Sequence, residues 1–161
     1  MSRVWRWFVV AAAVVLVDQV TKAMVTSRFA EGERLEVNGF FNMVLVYNKG
    51  AAFSFLSNAP GWQTPLLIGF ALVAIGIVVT MLVRSPDRLV LSSGLALILG
   101  GALGNVIDRV RFGKVVDFLD FHAAGWHWPA FNVADSAITI GAVLLILDGF
   151  RKHERRAGAP P

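Results

Sequence analysis

Asp117 and Asp135 are the two acids of this chain that could work as a pair. They sit in Val115-Val116-Asp117-Phe118 and Phe131-Asn132-Val133-Ala134-Asp135, beside apolar stretches long enough to cross a bilayer. An acid at that depth is expensive, and by default it marks function. The chain has no cysteine and no HExxH helix, which removes a thiol nucleophile and the common zinc-hydrolase ligand set. What remains is a carboxylate pair that activates water inside a membrane, chemistry for which no metal or other cofactor is expected.

Other polar residues fall where a membrane helix would not carry them without a reason. Asp18 and Lys22 are four apart with the acid first, the favourable order for a helical pair. A buried structural pair, a chemical role, or contact of Lys22 with a lipid headgroup would each explain them. In Gly100-Gly101-Ala102-Leu103-Gly104-Asn105-Val106-Ile107-Asp108-Arg109, the glycines at 100 and 104 let a neighbouring helix approach closely, and Gly101, Asn105 and Asp108 share a face. Asp108 near a helix C-terminus opposes the macrodipole and requires a cation, which Arg109 or Lys22 would supply. An Asp108–Arg109 packing pair is the plainest reading of that end. Asn132 has the position of an N-cap with Asp135 at N3, where a carboxylate favours the dipole, so Asp135 has a structural explanation as well as a catalytic one. Asp117, a lone acid between apolar residues in an expected loop, has no such alternative. His122 and His127, beside Trp126 and Trp128, are read as interfacial belt residues and not as metal ligands.

The elements that must position these residues follow from composition. Of the 161 residues, 56% are apolar and only 16% are charged, the charges gathered in short clusters. This predicts one membrane-embedded domain, 1–161, of the all-α class, with four spans at about 5–25, 65–83, 89–107 and 128–147 and a tail at 151–161. Arg3 and Arg6, Arg84 and Arg88, and the basic tail Arg151, Lys152, Arg155 and Arg156 fall on one side of such a bundle, which is therefore cytoplasmic. Residues 28–63 and 111–129, with both termini inside, lie outside. The positive charge is thus a topology signal, and no nucleic acid partner is expected. The basic-then-apolar start resembles a secretory signal but lacks a convincing cleavage site, and reads as an uncleaved first helix. Between the first two spans, alternation over Arg34–Val37, the Asn38-Gly39 turn signal and the strand-formers Phe41–Tyr47 predict a small extracytoplasmic sheet. Residues 51–56 are expected to lie in the interface, with Trp62 as an aromatic anchor.

Five blocks now stand in order. Asp18-Gln19-Val20-Thr21-Lys22, Asn48-Lys49-Gly50-Ala51-Ala52-Phe53, Gly100 to Arg109, Val116-Asp117-Phe118 and Phe131 to Asp135 together resemble the bacterial lipoprotein signal peptidases, or signal peptidase II. The resemblance runs through all four expected spans. It implies an aspartic endopeptidase of the inner membrane with Asp117 and Asp135 as its dyad. The implied substrates are diacylglyceryl-modified prolipoproteins, cut just before the lipidated cysteine. Membrane lipids and the cyclic peptide inhibitor globomycin are the other implied partners. The same resemblance implies that Asp18, Lys22, Asn48, Gly101, Asn105, Asp108, Arg109 and Asn132 line or support the site.

Two other classes compete. A proton-coupled carrier or ion-pathway protein would use Asp18, Lys22, Asp108 and Asp135 as a relay, but no inverted repeat is present and the charges crowd at one membrane face. A scaffold held together by polar helix contacts leaves Asp117 unexplained.

Overall fold

The computed structural model describes residues 3–50 and 61–157, with side chains as far as residue 150. Four long apolar helices, α1 (Trp5–Thr26), α2 (Gln63–Arg84), α3 (Leu89–Phe112) and α4 (Val133–Ala157), are each long enough to span a bilayer. α3 is the central one. It packs against the other three helices and is the only one with most of its surface inside the protein. The reason is its row of small residues. A Cβ on Gly100 would come within 2.6 Å of the Ala11 carbonyl of α1, and one on Gly141 of α4 within 2.6 Å of the Gly94 carbonyl of α3. The outer surfaces are correspondingly apolar: Phe70, Leu72, Val73 and Ile77 of α2 and Ile140, Val143 and Ile146 of α4 are all exposed. A surface of that kind is soluble only in lipid.

The expected small sheet is present and extends beyond residues 34–47. A four-stranded antiparallel sheet, β1 (Arg34–Asn38), β2 (Phe41–Asn48), β3 (Val115–Ala123) and β4 (Trp126–His127) in that order, joins the segment after α1 to the segment after α3. The stretch read as a loop around Asp117 is therefore a strand, β3. It can begin so soon after α3 because Gly113 ends the helix at φ 70°, a left-handed C-cap that glycine enters without strain. β3 turns into β4 through Ala124 and Gly125, both at positive φ. The hairpin closes one residue later than the Asn38-Gly39 signal, through Gly39 and Phe40, with the Phe40 N–H donating to the Asn38 side-chain oxygen at 3.1 Å; neither Asn38 nor Gly39 takes positive φ, and a bulge between Glu36 and Asn38 shifts the register. The alternation over β1 does not reflect burial: all five residues are exposed, because nothing among the described residues covers this edge strand. A small core of Val25, Leu45, Val116 and Phe118 fastens the sheet to the end of α1. The expected interfacial stretch 51–56 lies outside the described residues. Span boundaries shift slightly from expectation: α3 runs on to Phe112, and the fourth helix starts at Val133, leaving Trp128–Asn132 as an extended lead-in.

Candidate active site

The two expected catalytic acids come from different kinds of element. Asp117 is on β3 and Asp135 is in the first turn of α4. A short backbone bridge brings them together: the Phe118 and Leu119 N–H groups donate to the Phe131 carbonyl at 3.0 and 2.8 Å, and the Phe131 N–H donates to the Leu119 carbonyl at 3.1 Å. The residue after Phe131 is Asn132, the N-cap of α4. Its side-chain oxygen accepts from the Asp135 N–H at 2.9 Å, and its own N–H donates to Asp135 at 3.3 Å. That reciprocal pair is a capping box, with Asp in the place of the usual Glu. Both acids line one cavity of about 590 Å³, whose far wall is Ile138, Thr139 and Ile140 of α4.

Three asparagines hold the carboxylates. The Asn132 amide donates to Asp117 Oδ1 at 2.7 Å, and Asn48 donates to Asp117 Oδ2 at 3.1 Å. Asn105 donates to Asp135 Oδ1 at 2.8 Å. Each oxygen of the two acids that is bonded is thus bonded by a neutral donor, which orients the group without neutralising it. Burial and the nearby charge of Asp135 together push the Asp117 carboxyl up from the usual 3.8 to about 7, against the opposing pull of the two amides and Lys22.

Behind this layer lies a fully buried ionic cluster. Lys22 Nζ bridges Asp18 at 2.9 Å and Asp108 at 2.8 Å, and also donates to Asn105 Oδ1 at 3.1 Å. The cation that Asp108 requires is Lys22. The Asp108–Arg109 packing pair is not formed, because consecutive helical residues point in different directions. Arg109 turns instead to the Gly50 carbonyl, donating at 2.9 Å, and so ties the end of the Asn48–Gly50 segment to α3. Asp18 reaches further than its helical partner: its second oxygen accepts from the Ala134 N–H at 2.9 Å, satisfying an otherwise free donor in the first turn of α4. Asp108 likewise accepts from the β3 N–H of Val116 at 3.1 Å. The cluster therefore anchors both segments that carry the two candidate acids.

Gly101 belongs to the same arrangement without touching the cavity. A Cβ there would collide with the Ala134 carbonyl, so glycine sets how closely α3 approaches the start of α4. Gln19 was not singled out from the sequence beyond its place in the first block. It donates to Asp18 at 3.1 Å, to Asp108 at 2.9 Å and to the Gly104 carbonyl at 3.3 Å, so it shares the load of two acids on one lysine. Its position next to Asp18 was the only signal available. His127 is not part of the belt alone: its Nδ1 lies 2.9 Å from buried Asp120, which also accepts from Asn42 at 2.9 Å. Burial would raise the Asp120 carboxyl, but those two bonds and the charge of Arg34 hold it below the usual range.

Comparison with known proteins agrees with this geometry. The family described as Signal peptidase (SPase) II matches residues 10–151. The chain belongs to the signal peptidase II family. Among curated relatives, a lipoprotein signal peptidase of Paraburkholderia phytofirmans (strain DSM 17436 / LMG 22146 / PsJN) is 56% identical over 146 residues, covering 91% of this chain and 85% of that protein. One of Janthinobacterium sp. (strain Marseille) is 53% identical over 146 residues, covering 91% and 88%. A solved structure described as "Bacterial membrane enzyme structure by the in meso method at 2.3 A resolution" superposes with a TM-score of 0.85 at 31% identity, covering 97% of this chain and 94% of that one. Membership of the signal peptidase II family makes the chain a protease, and with four apolar helices, a multi-pass protein of the bacterial inner membrane.

Proposed function

We propose that this signal peptidase II is an aspartic endopeptidase that removes the signal peptide from diacylglyceryl-modified prolipoproteins, cutting just before the lipidated cysteine. The observation that carries the reading is the convergence of Asp117 and Asp135 on one cavity, each held by neutral amides. Two carboxyls facing the same cavity do not both ionise readily, so one keeps a proton. Asp135, at a helix N-terminus, is the ionised base that takes a proton from water as its oxygen attacks the scissile carbonyl carbon. Asp117 is the acid. It hydrogen-bonds the carbonyl oxygen as negative charge develops there. Collapse of the tetrahedral intermediate breaks the C–N bond, and the leaving nitrogen takes a proton from the dyad. Asn48, Asn105 and Asn132 orient the two acids, while Asp18, Lys22, Asp108 and Gly101 hold their elements. Arg109 fixes the rim of the cavity at Gly50.

The apolar wall of Ile138 and Ile140 suits the diacylglyceryl chains, which would reach the site sideways from lipid. The same cavity would accept the cyclic peptide globomycin. Both termini lie in the cytoplasm, and the sheet and dyad at the periplasmic face. The relay reading has lost its basis, since Asp18, Lys22 and Asp108 are closed off against one another and face no opening. The deciding experiment incubates detergent-purified protein with a diacylglyceryl-modified prolipoprotein and follows release of the signal peptide. Cleavage is expected, and Asp117→Asn and Asp135→Asn are each expected to abolish it in a folded, inserted protein. Near-normal turnover in either variant, or equal cleavage of substrate lacking the lipid, overturns the reading.

A further inference from the structure

Asp117 is the meeting point of two cavities. The first is the membrane-side cavity already described, walled by α3 and α4. The second, of about 280 Å³, lies on the sheet side and is walled by Arg34, Val44, Val46, Asp120 and His127. Their linings overlap only at Asn48, Asp117 and Trp128-Pro129-Ala130. The lead-in to α4 thus acts as a partition, and the Asp117 carboxyl stands in it with a face to each side.

The two chambers differ in chemistry. The membrane side has the isoleucine wall that matches a lipid. The sheet side has the guanidinium of Arg34 3.6 Å from the Asp120 carboxylate, the His127 imidazole 2.9 Å from the same carboxylate, and the Asn48 amide. A buried water is stable where 2–4 polar groups surround it, and at roughly 30 Å³ each there is room here for several. Hydrolysis consumes one water per turnover, and a substrate whose lipid and peptide fill the membrane-side cavity closes that route. We propose that the sheet-side chamber is the water entrance of the active site, supplying the attacking water past Asp117 while substrate occupies the other cavity. Arg34, Asp120 and His127 are then positioning residues that keep the entrance hydrated. The proposal rests on the aspartic reading above.

Val46 makes the entrance testable. It lies across the β2–β3 register from Asp117, lines the sheet-side chamber but not the other, and is 38% exposed. The natural chain has no cysteine, so Val46→Cys carries a single thiol. This variant is purified folded, then treated with methyl and benzyl methanethiosulfonate, which plug the chamber to increasing depth without asking a bulky residue to fold. Cleavage of lipidated substrate is expected to fall in kcat about ten-fold or more with the benzyl adduct and less with the methyl adduct, at unchanged KM. Dithiothreitol restores the rate, and the same adducts at Phe40→Cys, on the hairpin turn, change nothing. Should Val46→Cys not fold, Arg34→Cys at the rim takes its place, each adduct being compared with the unmodified Arg34→Cys rate. An unchanged kcat under the benzyl adduct overturns the proposal. So does a raised KM, which would make the chamber a substrate subsite. An active Asp117→Asn overturns the aspartic reading itself, whereas an inactive Asp117→Asn beside an uninhibited adduct overturns only the water entrance.

Discussion

Asp117 holds its proton to about pH 7 because it is buried beside a second acid, and this has two consequences of known sign. The folded carboxyl binds its proton more tightly than the unfolded one, whose pKa is 3.8, so the native state gains relative stability from it at low pH. Stability is therefore expected to fall as pH rises from about 4 to about 7 and to level off above. Asp117→Asn should flatten that slope, which a series of melting curves in detergent would reveal. If Asp117 works as the acid, kcat/KM should also decline above pH 7, as a property of the pair. At Lys22 the expectation is larger. Lys22→Met strands two buried carboxylates, Asp18 and Asp108, and should lower stability by about 3–5 kcal/mol, more than Asp108→Asn, which leaves Lys22 one charged partner. Equal melting temperatures for the two variants would show that the cluster is not held by its charges. Asp135→Asn should be neutral or stabilising while inactive, since it relieves the crowding of two acids and keeps a capping oxygen. At this scale the sequence named polar residues that the fold brings together, but it was a poor guide to their partners. Arg109 was the plainer partner for Asp108 and Lys22 the other candidate, and only the direction in which each side chain leaves its helix decided for Lys22.

The elements that carry Asp117 and Asp135 are set by close backbone approach. Gly101→Ala pushes a methyl group into the Ala134 carbonyl at the start of α4, and overpacking of that kind costs about 1–3 kcal/mol. Because Asp135 is the next residue, cleavage should suffer beyond what the loss of stability explains. Gly76→Ala in α2 has open space around its new methyl and should leave both melting temperature and cleavage nearly unchanged. Comparable losses in the two variants would refute the idea that glycine at 101 sets the α3–α4 distance. The helices were readable because an apolar run of spanning length has few other fates. β3 was not, since Val115–Phe118 is too short and too uniformly buried to show a period, and its pairing with β2 joins residues some seventy apart. The β3–β4 turn was hidden for a different reason: Ala124 sits at φ 49°, a conformation alanine rarely takes and therefore does not advertise.

For the whole molecule the testable property is orientation. Reporter fusions after Pro86 and in the C-terminal tail should read cytoplasmic, and fusions between Glu31 and Tyr47 or after Gly113 external. A cytoplasmic signal at Gly113 would put the dyad on the wrong side for a periplasmic substrate. The end of the bundle expected to face the cytoplasm is tied together: Arg3 pairs with Asp87 at 2.8 Å, the Trp7 indole donates to the Pro86 carbonyl at 2.9 Å, and Arg88 pairs with Asp148. The amino-acid sequence by itself determined the membrane class, the number of spans and the family, because each depends on composition, run length or local motifs, which are properties of short stretches of chain. It also foresaw the Asn132–Asp135 cap, whose two partners are three residues apart. What only the tertiary structure decided is everything that joins distant stretches: Asp18 capping α4, Lys22 shared by two acids, Arg109 bound to Gly50, and Asp117 standing between two cavities. Contacts of that kind depend on which faces of separate elements meet, and that is settled by packing small residues in α3 and pairing β2 with β3, over distances along the chain at which local patterns carry no information.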